Sequence, residues 1–458
     1  MTRALTYAAD NFDRFVQELS AFLRIPSIST DPTYKKEVLR AAEWLVQQFQ
    51  DIGMQRAELF PTQGHPIVYA EHIEDPQLPT ILVYGHYDVQ PPDPLELWES
   101  PPFEPVIKNG VIYARGASDD KGQVFMHVKA AEAYLKGEGK LPVNLKFLIE
   151  GEEESGSENL VPFIQAHQDM LQADTVLISD TAMLGPDLPS ITYALRGIAY
   201  TEIEITGPDH DLHSGVYGGA VDNPVHILSR LIAGLHDEDH RITIPGFYEK
   251  VRELSEEERQ MLRALPFDEK AWMESIGVRA VRTESGYTIL EATTARPSLD
   301  VNGIWGGYQG EGAKTVIPSK AGAKISMRLV ADQDPEDIAL KTRRYFEEHM
   351  PETVSSYTFR YIHGGYPVTV DIHSPPMQAA AKALEAVFKR TPYFTREGGS
   401  IPVVADFKRL LGLDSVLMGF GLNSDAIHSP NEHFDLERFR KGIESSIHFQ
   451  TFFPQEMH

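Results

Sequence analysis

The chain has 458 residues, more than one ordinary hydrophobic core accommodates, so two domains are expected. Its 67 Asp+Glu against 42 Lys+Arg give a formal net charge of -25 with no basic run to offset it, which argues against nucleic acid and anionic membranes as partners. Cysteine is absent, which excludes disulfides, thiolate zinc sites, iron–sulfur clusters and a cysteine nucleophile; any metal must be held by His, Asp and Glu.

The N-terminal segment through Asp10 lacks the apolar core of a signal peptide, and no apolar run approaches a membrane span, so a cytoplasmic location is expected. Phe12, Phe15, Val16, Leu19, Phe22 and Leu23 fall on one helical face, and that helix must end before Pro26. A second helix is predicted from about Glu37 to Ile52, closed by Gly53. Short apolar runs bounded by turn residues follow at residues 80–84, 143–149, 175–178 and, much later, 415–418. Between the first two, residues 123–135 predict an amphipathic helix. Strands alternating with helices predict an α/β catalytic domain, a mostly parallel sheet covered by helices on both faces.

From about Leu195 the texture changes. Strict alternation over residues 198–205 and 323–330 signals a sheet with one solvated face. Helical patterns at 223–235 and 335–349, and a charged helical insert at 255–272, complete a second, α+β domain. It is expected to span residues 195–373, inserted into a catalytic domain made of 1–194 and 374–458, with a further helix over 377–388.

The polar residues gather at the ends of the predicted strands. His86 and Asp88 follow the first run, Glu153 and Glu154 the second and Asp180 the third, while His428 lies ten residues beyond the fourth. Open α/β sheets bind ligands past the C-terminal ends of their strands. Imidazole mixed with carboxylates suits zinc, cobalt or manganese and leaves a glutamate to spare as a base.

Each motif also has a plainer reading. His86 and Asp88 share one side of an extended segment, which suits a ligand with a carboxylate behind it, and equally a structural histidine beside an exposed aspartate. Asp119 and Asp120 precede a helix and alone would be read as its cap. Glu152, Glu153 and Glu154 resemble a solvated turn, but they follow a buried strand, where concentrated negative charge is costly unless cations neutralise it. His213 and His428 are singly unremarkable loop residues. The turn Gly398-Gly399-Ser400 before a predicted helix either presents N–H groups to a carboxylate or is an ordinary tight turn.

The segments Tyr84-Gly-His-Tyr-Asp-Val-Gln-Pro91, Glu153-Glu-Ser-Gly-Ser157, Leu212-His-Ser-Gly-Val-Tyr-Gly-Gly219 and Lys314-Thr-Val-Ile-Pro318 resemble the co-catalytic zinc metallopeptidases that include aminoacylase, glutamate carboxypeptidase and carnosine-type dipeptidases. The resemblance spans essentially the whole chain, and its nearest branch is the cytosolic nonspecific dipeptidases. It implies two divalent metal ions, zinc foremost with manganese or cobalt as alternatives. Asp119 would bridge them, with His86 and Asp180 on one and Glu154 and His428 on the other. It implies Glu153 as general base and a cis Asp119–Asp120 peptide, alongside the supporting place behind His86 already read for Asp88. Anchoring on Ser155-Gly156-Ser157 picks Glu153 and Glu154 from the glutamate triplet and leaves Glu152 dispensable.

The same resemblance makes the inserted domain a lid and dimerisation domain of a homodimer. His213 would reach the partner's active site, and Thr315, Arg328 and Ser400 would hold substrate. The expected reaction is hydrolysis of the amide bond of dipeptides or similar short substrates with a free carboxylate. Alternatives are an N-acyl-amino-acid deacylase or a carboxypeptidase with the same chemistry, a non-catalytic interaction protein on this fold, and a carboxylate-pair glycosidase, which would need no such histidines.

Overall fold

In the computed structural model, which describes residues 2–457, each apolar run becomes a strand near the centre of one sheet. The first of two compact units takes the described chain up to Tyr193, then Val370–Thr395, then the described residues from Asp406 onward. Seven strands of its main sheet are β1 (Arg56–Phe60), β2 (Ile67–His72), β3 (Thr80–His86), β4 (Asn144–Glu150), β5 (Thr175–Ile178), β6 (Ser190–Leu195) and β7 (Ser415–Leu417). They lie in the order β1-β2-β4-β3-β5-β7-β6. The central four pair in parallel, and β1 and β2 continue the sheet antiparallel. β4 and β5 are buried along their whole length, as strands covered on both faces must be.

The longer helices of this unit are α1 (Arg3–Asp10), α2 (Phe12–Leu23), α3 (Lys35–Ile52), α4 (Lys121–Gly137), α5 (Pro375–Phe388) and α6 (Leu436–Glu456). Gly53 closes α3 at φ 99°, a left-handed conformation that costs glycine little. α4 departs from the amphipathic expectation, because every residue from Lys121 to Tyr134 is buried. Its polar side chains are paired inside. Lys121 Nζ donates to the carbonyls of Phe22 and Ile25 at 3.2 and 2.6 Å, His127 lies between Ser179 and Ser446, and Lys129 pairs with Glu132 at 2.8 Å.

The second unit comprises Ala194–Thr369 and also Arg396–Ala405, so it is not the single insertion expected. Within it, the Ser400 hydroxyl donates to the Arg196 carbonyl and Arg396 pairs with Glu258 at 2.6 Å, which ties the extra segment in. Four antiparallel strands lie in the order Ser298–Gly306, Lys320–Leu329, Gly197–Thr206 and Ser356–Gly365. Ile203, Ile205, Ile325 and Met327 pack on Leu228, Leu231 and Phe346 of the helices Pro224–Ala233 and Pro335–His349. The charged stretch forms two helices, Glu256–Ala264 and Glu269–Ser275, because Pro266 cannot continue the first. Among the described residues no helix is long and apolar enough to cross a membrane.

Candidate metal centre

His86 ends β3, Glu153 and Glu154 form a short 3₁₀ turn just past β4, Asp180 follows β5, and His428 sits on the loop after β7. Asp119 lies on the turn that enters α4, and the Asp119–Asp120 peptide is cis. Asp119 is central: its Oδ1 is 3.1 Å from His86 Nε2 and its Oδ2 is 2.9 Å from His428 Nε2. Asp180 Oδ2 is 3.7 Å from His86 Nε2, and Glu154 Oε2 is 3.4 Å from His428 Nε2. Two triads result, each with its donor atoms within 4.8 Å of one another: His86, Asp119 and Asp180, and Asp119, Glu154 and His428. The five candidate ligands read from the sequence thus meet around two positions that share one carboxylate.

Asp88 does more than stand behind the imidazole. His86 Nδ1 is 3.1 Å from the Asp88 main-chain oxygen and 3.4 Å from its carboxylate, so the carbonyl is the nearer acceptor of the ring N–H. Both contacts put the proton on Nδ1 and leave Nε2 free to ligate. The fully buried Asp88 carboxylate also accepts from the backbone N–H groups of Glu153 and Glu154, at 3.3 and 3.1 Å. It therefore shapes the turn that carries the expected base and one ligand.

The ionisation pattern is that of a site short of positive charge. Burial, with the neighbouring Asp119 and Asp120 charges, pushes Asp180 well above the usual carboxylate range. Burial, with Glu154, Asp88 and Asp119 nearby, also raises Glu153. Burial disfavours charge on His86, yet its hydrogen bonds to Asp119 and Asp88 override that and hold it well above the ordinary imidazole value. His428 is pushed up to about 10 by its hydrogen bonds to Asp119 and Glu154. Converging carboxylates and imidazoles, all oxygen and nitrogen donors, fit a pair of borderline divalent cations.

Several residues that sequence reasoning did not single out hold this arrangement. The buried Glu432 carboxylate accepts from the N–H groups of Gly116, Ser118 and Asp119 at 2.8, 2.9 and 3.0 Å and from Arg115 Nη1 at 2.8 Å. One carboxylate thus joins the loop of Asp119 to the loop of His428. Buried Asp425 pairs with both terminal nitrogens of Arg438, at 2.7 and 2.6 Å, and accepts from Ser118 Oγ at 2.9 Å. Only the position of Glu432 four residues after His428 hinted at this. Glu152, expected to be dispensable, accepts from His65 N at 3.1 Å and from Asn159 Nδ2 at 2.8 Å, and so braces the same turn.

The other candidates lie in the second unit, in two groups. Arg328 Nη1 is 3.2 Å from Ser400 Oγ. Behind them Arg196, also missed from the sequence, donates to the Gly398 carbonyl at 3.1 Å, and burial and the Arg328 charge bring its pKa down to about 10. Among the described residues neither guanidinium has a carboxylate at ion-pair distance, which leaves a pair of cations suited to an anion. Separately, His213 lies beside Thr315, whose carbonyl accepts from Ser214 N at 3.1 Å. His213 is exposed and its Nδ1 accepts from Gly215 N at 2.9 Å, which places the ring proton on Nε2, facing outward as a donor.

Comparison with known proteins gives a consistent picture. Residues 82–449 match the model of peptidase family M20/M25/M40. The chain is similar to the Cys-Gly metallodipeptidase dug1 of Schizosaccharomyces pombe, at 36% identity with 94% of each chain covered. It is similar to the Beta-Ala-His dipeptidase of Homo sapiens at 32% identity, covering 96% of this chain and 90% of that one. Among solved structures it resembles an M20 family metallo-carboxypeptidase from Sulfolobus solfataricus, with a TM-score of 0.79, 33% identity and 96% and 99% of the two chains covered.

Proposed function

The chain belongs to peptidase family M20/M25/M40, and on that footing we propose that it is a dinuclear metal-dependent dipeptidase. The observation that carries this reading is Asp119, whose two oxygens face two different imidazoles at 3.1 and 2.9 Å, each backed by one further carboxylate. His86, Asp119 and Asp180 would hold one ion and Asp119, Glu154 and His428 the other, zinc foremost given the mixed nitrogen and oxygen donors. When bound, such a pair acidifies a water and polarises the scissile carbonyl. Glu153, raised by burial and by neighbouring carboxylates, is suited to take the proton of the water and to deliver it to the leaving amine. Arg328 and Ser400, with the uncompensated charge of Arg196 behind them, suit the free carboxylate of a short substrate. His213, with its proton on Nε2, suits an oxyanion.

Substrate size is what separates this reading from a carboxypeptidase, which the similarity to the Sulfolobus solfataricus enzyme keeps in view. Zinc- and manganese-loaded protein is expected to hydrolyse free dipeptides, Cys-Gly and β-Ala-His among them, faster than their C-terminal amides, N-acyl-amino acids or longer peptides. Preference for longer peptides contradicts it. The same proposal includes a homodimer formed through residues 195–373 and a cytoplasmic location. Val216, Tyr217, Ile304 and Tyr308, exposed apolar residues of the second unit, support the dimer. Mixing His213→Ala with Asp119→Ala protein is expected to restore part of the activity that each lacks; no recovery contradicts a site shared between subunits.

A further inference from the structure

The segment that carries His86 continues extended beyond β3. Val89 N donates to the Ser27 carbonyl at 3.0 Å and Val89 bridges Ile28. Side chains alternate along such a segment, so residues 87 and 89 point one way and residues 86, 88 and 90 the other. Tyr87 and Val89 are fully buried in the core. His86 points at Asp119, and Asp88 holds the turn of Glu153 and Glu154. Gln90, partly buried, completes the series: its Nε2 donates to Glu154 Oε2 at 2.8 Å, the same oxygen that lies 3.4 Å from His428 Nε2.

We propose that Gln90 is a positioning residue, which holds the Glu154 carboxylate toward the cation position that Glu154 shares with His428 and Asp119. The inference rests on the dinuclear reading above. A carboxylate can only accept, so the amide must turn its NH₂ toward Glu154. A neutral donor fixes the orientation of the carboxylate without cancelling its charge, which a lysine or arginine would do. The other position has its imidazole locked in the core by Asp88, whereas His428 is half exposed and no protein group among the described residues is hydrogen-bonded to its Nδ1. Orientation of Glu154 therefore matters most for the second ion.

The test is zinc titration of metal-free protein against a competing chelator, for wild type, Gln90→Leu and Gln90→Ser, alongside thermal melts of the metal-free forms. Serine leaves room for water should leucine impair folding. The expected result is a first zinc equivalent bound within about 2-fold of wild type and a second weakened by about 10- to 100-fold, the usual range for such supporting partners, with the metal-free melt unchanged. Two equivalents bound as in wild type, or both weakened equally, overturn the role of Gln90. A wild type that takes up fewer than two equivalents instead overturns the dinuclear reading itself, and this inference with it.

Discussion

At the residue scale, burial decides what the carboxylates near β3 and β4 can do. Glu150, at the end of β4, accepts from the Tyr84 hydroxyl and from Ser157 Oγ, and burial pushes its carboxyl up to about 8. The folded chain therefore keeps a proton there that the unfolded chain releases above its ordinary value of 4.5. Stability from this group is fully present below that value and is lost as the pH rises toward 8. Glu150→Gln retains an acceptor for both hydroxyls and cannot ionise. Thermal melts of metal-free protein are expected to show it more stable than wild type, on the order of a few kcal/mol above pH 8, with the gap closing in acid. A gap that does not grow with pH contradicts this account. Glu150 could not be read from the sequence, where it ends an apolar run like any solvated carboxylate. His86, Glu154, Asp180 and His428 were suggested both by strand ends and by the family resemblance, and Asp119 by the resemblance, since alone it reads as a helix cap. Gln90, Glu432 and Arg196 act through hydrogen bonds to atoms distant in the chain, and such partners leave no local pattern.

At the scale of elements, periodicity located the central strands almost to the residue, since fully buried parallel strands read as uninterrupted apolar runs. The amphipathic helix expected over residues 123–135 is instead buried all round as part of α4, with Lys121, His127, Lys129 and Glu132 paired in the interior. α4 also presses on the ligand loop. A Cβ at Gly122 would lie 2.0 Å from the Ala117 carbonyl oxygen, so glycine is required there by close approach. Gly122→Ala is expected to displace the turn bearing Asp119 and to weaken zinc binding by about 10-fold or more, in line with the roughly 1–3 kcal/mol that overpacking costs. Zinc titration checks it, and wild-type affinity would falsify the claimed contact. The charged insert shows the converse limit: its helical pattern was legible, while Pro266 divides it into two helices.

For the whole molecule, two units were expected from length and texture, but the return of Arg396–Ala405 to the second unit was not. Its ties, Arg396 to Glu258 and Ser400 to Arg196 and Arg328, join positions 138, 204 and 72 residues apart, beyond the reach of any periodicity. The first unit gathers the candidate ligands and base, and the second carries the cations suited to a substrate carboxylate. The central proposal is that Glu153 moves the proton at a site where two ions would share the Asp119 carboxylate. Its most direct test is dipeptide hydrolysis by Glu153→Gln protein whose metal content has been measured. The account predicts two bound equivalents and a kcat lower by at least about 100-fold. A fully loaded Glu153→Gln protein that hydrolyses dipeptides at close to the wild-type rate would contradict it.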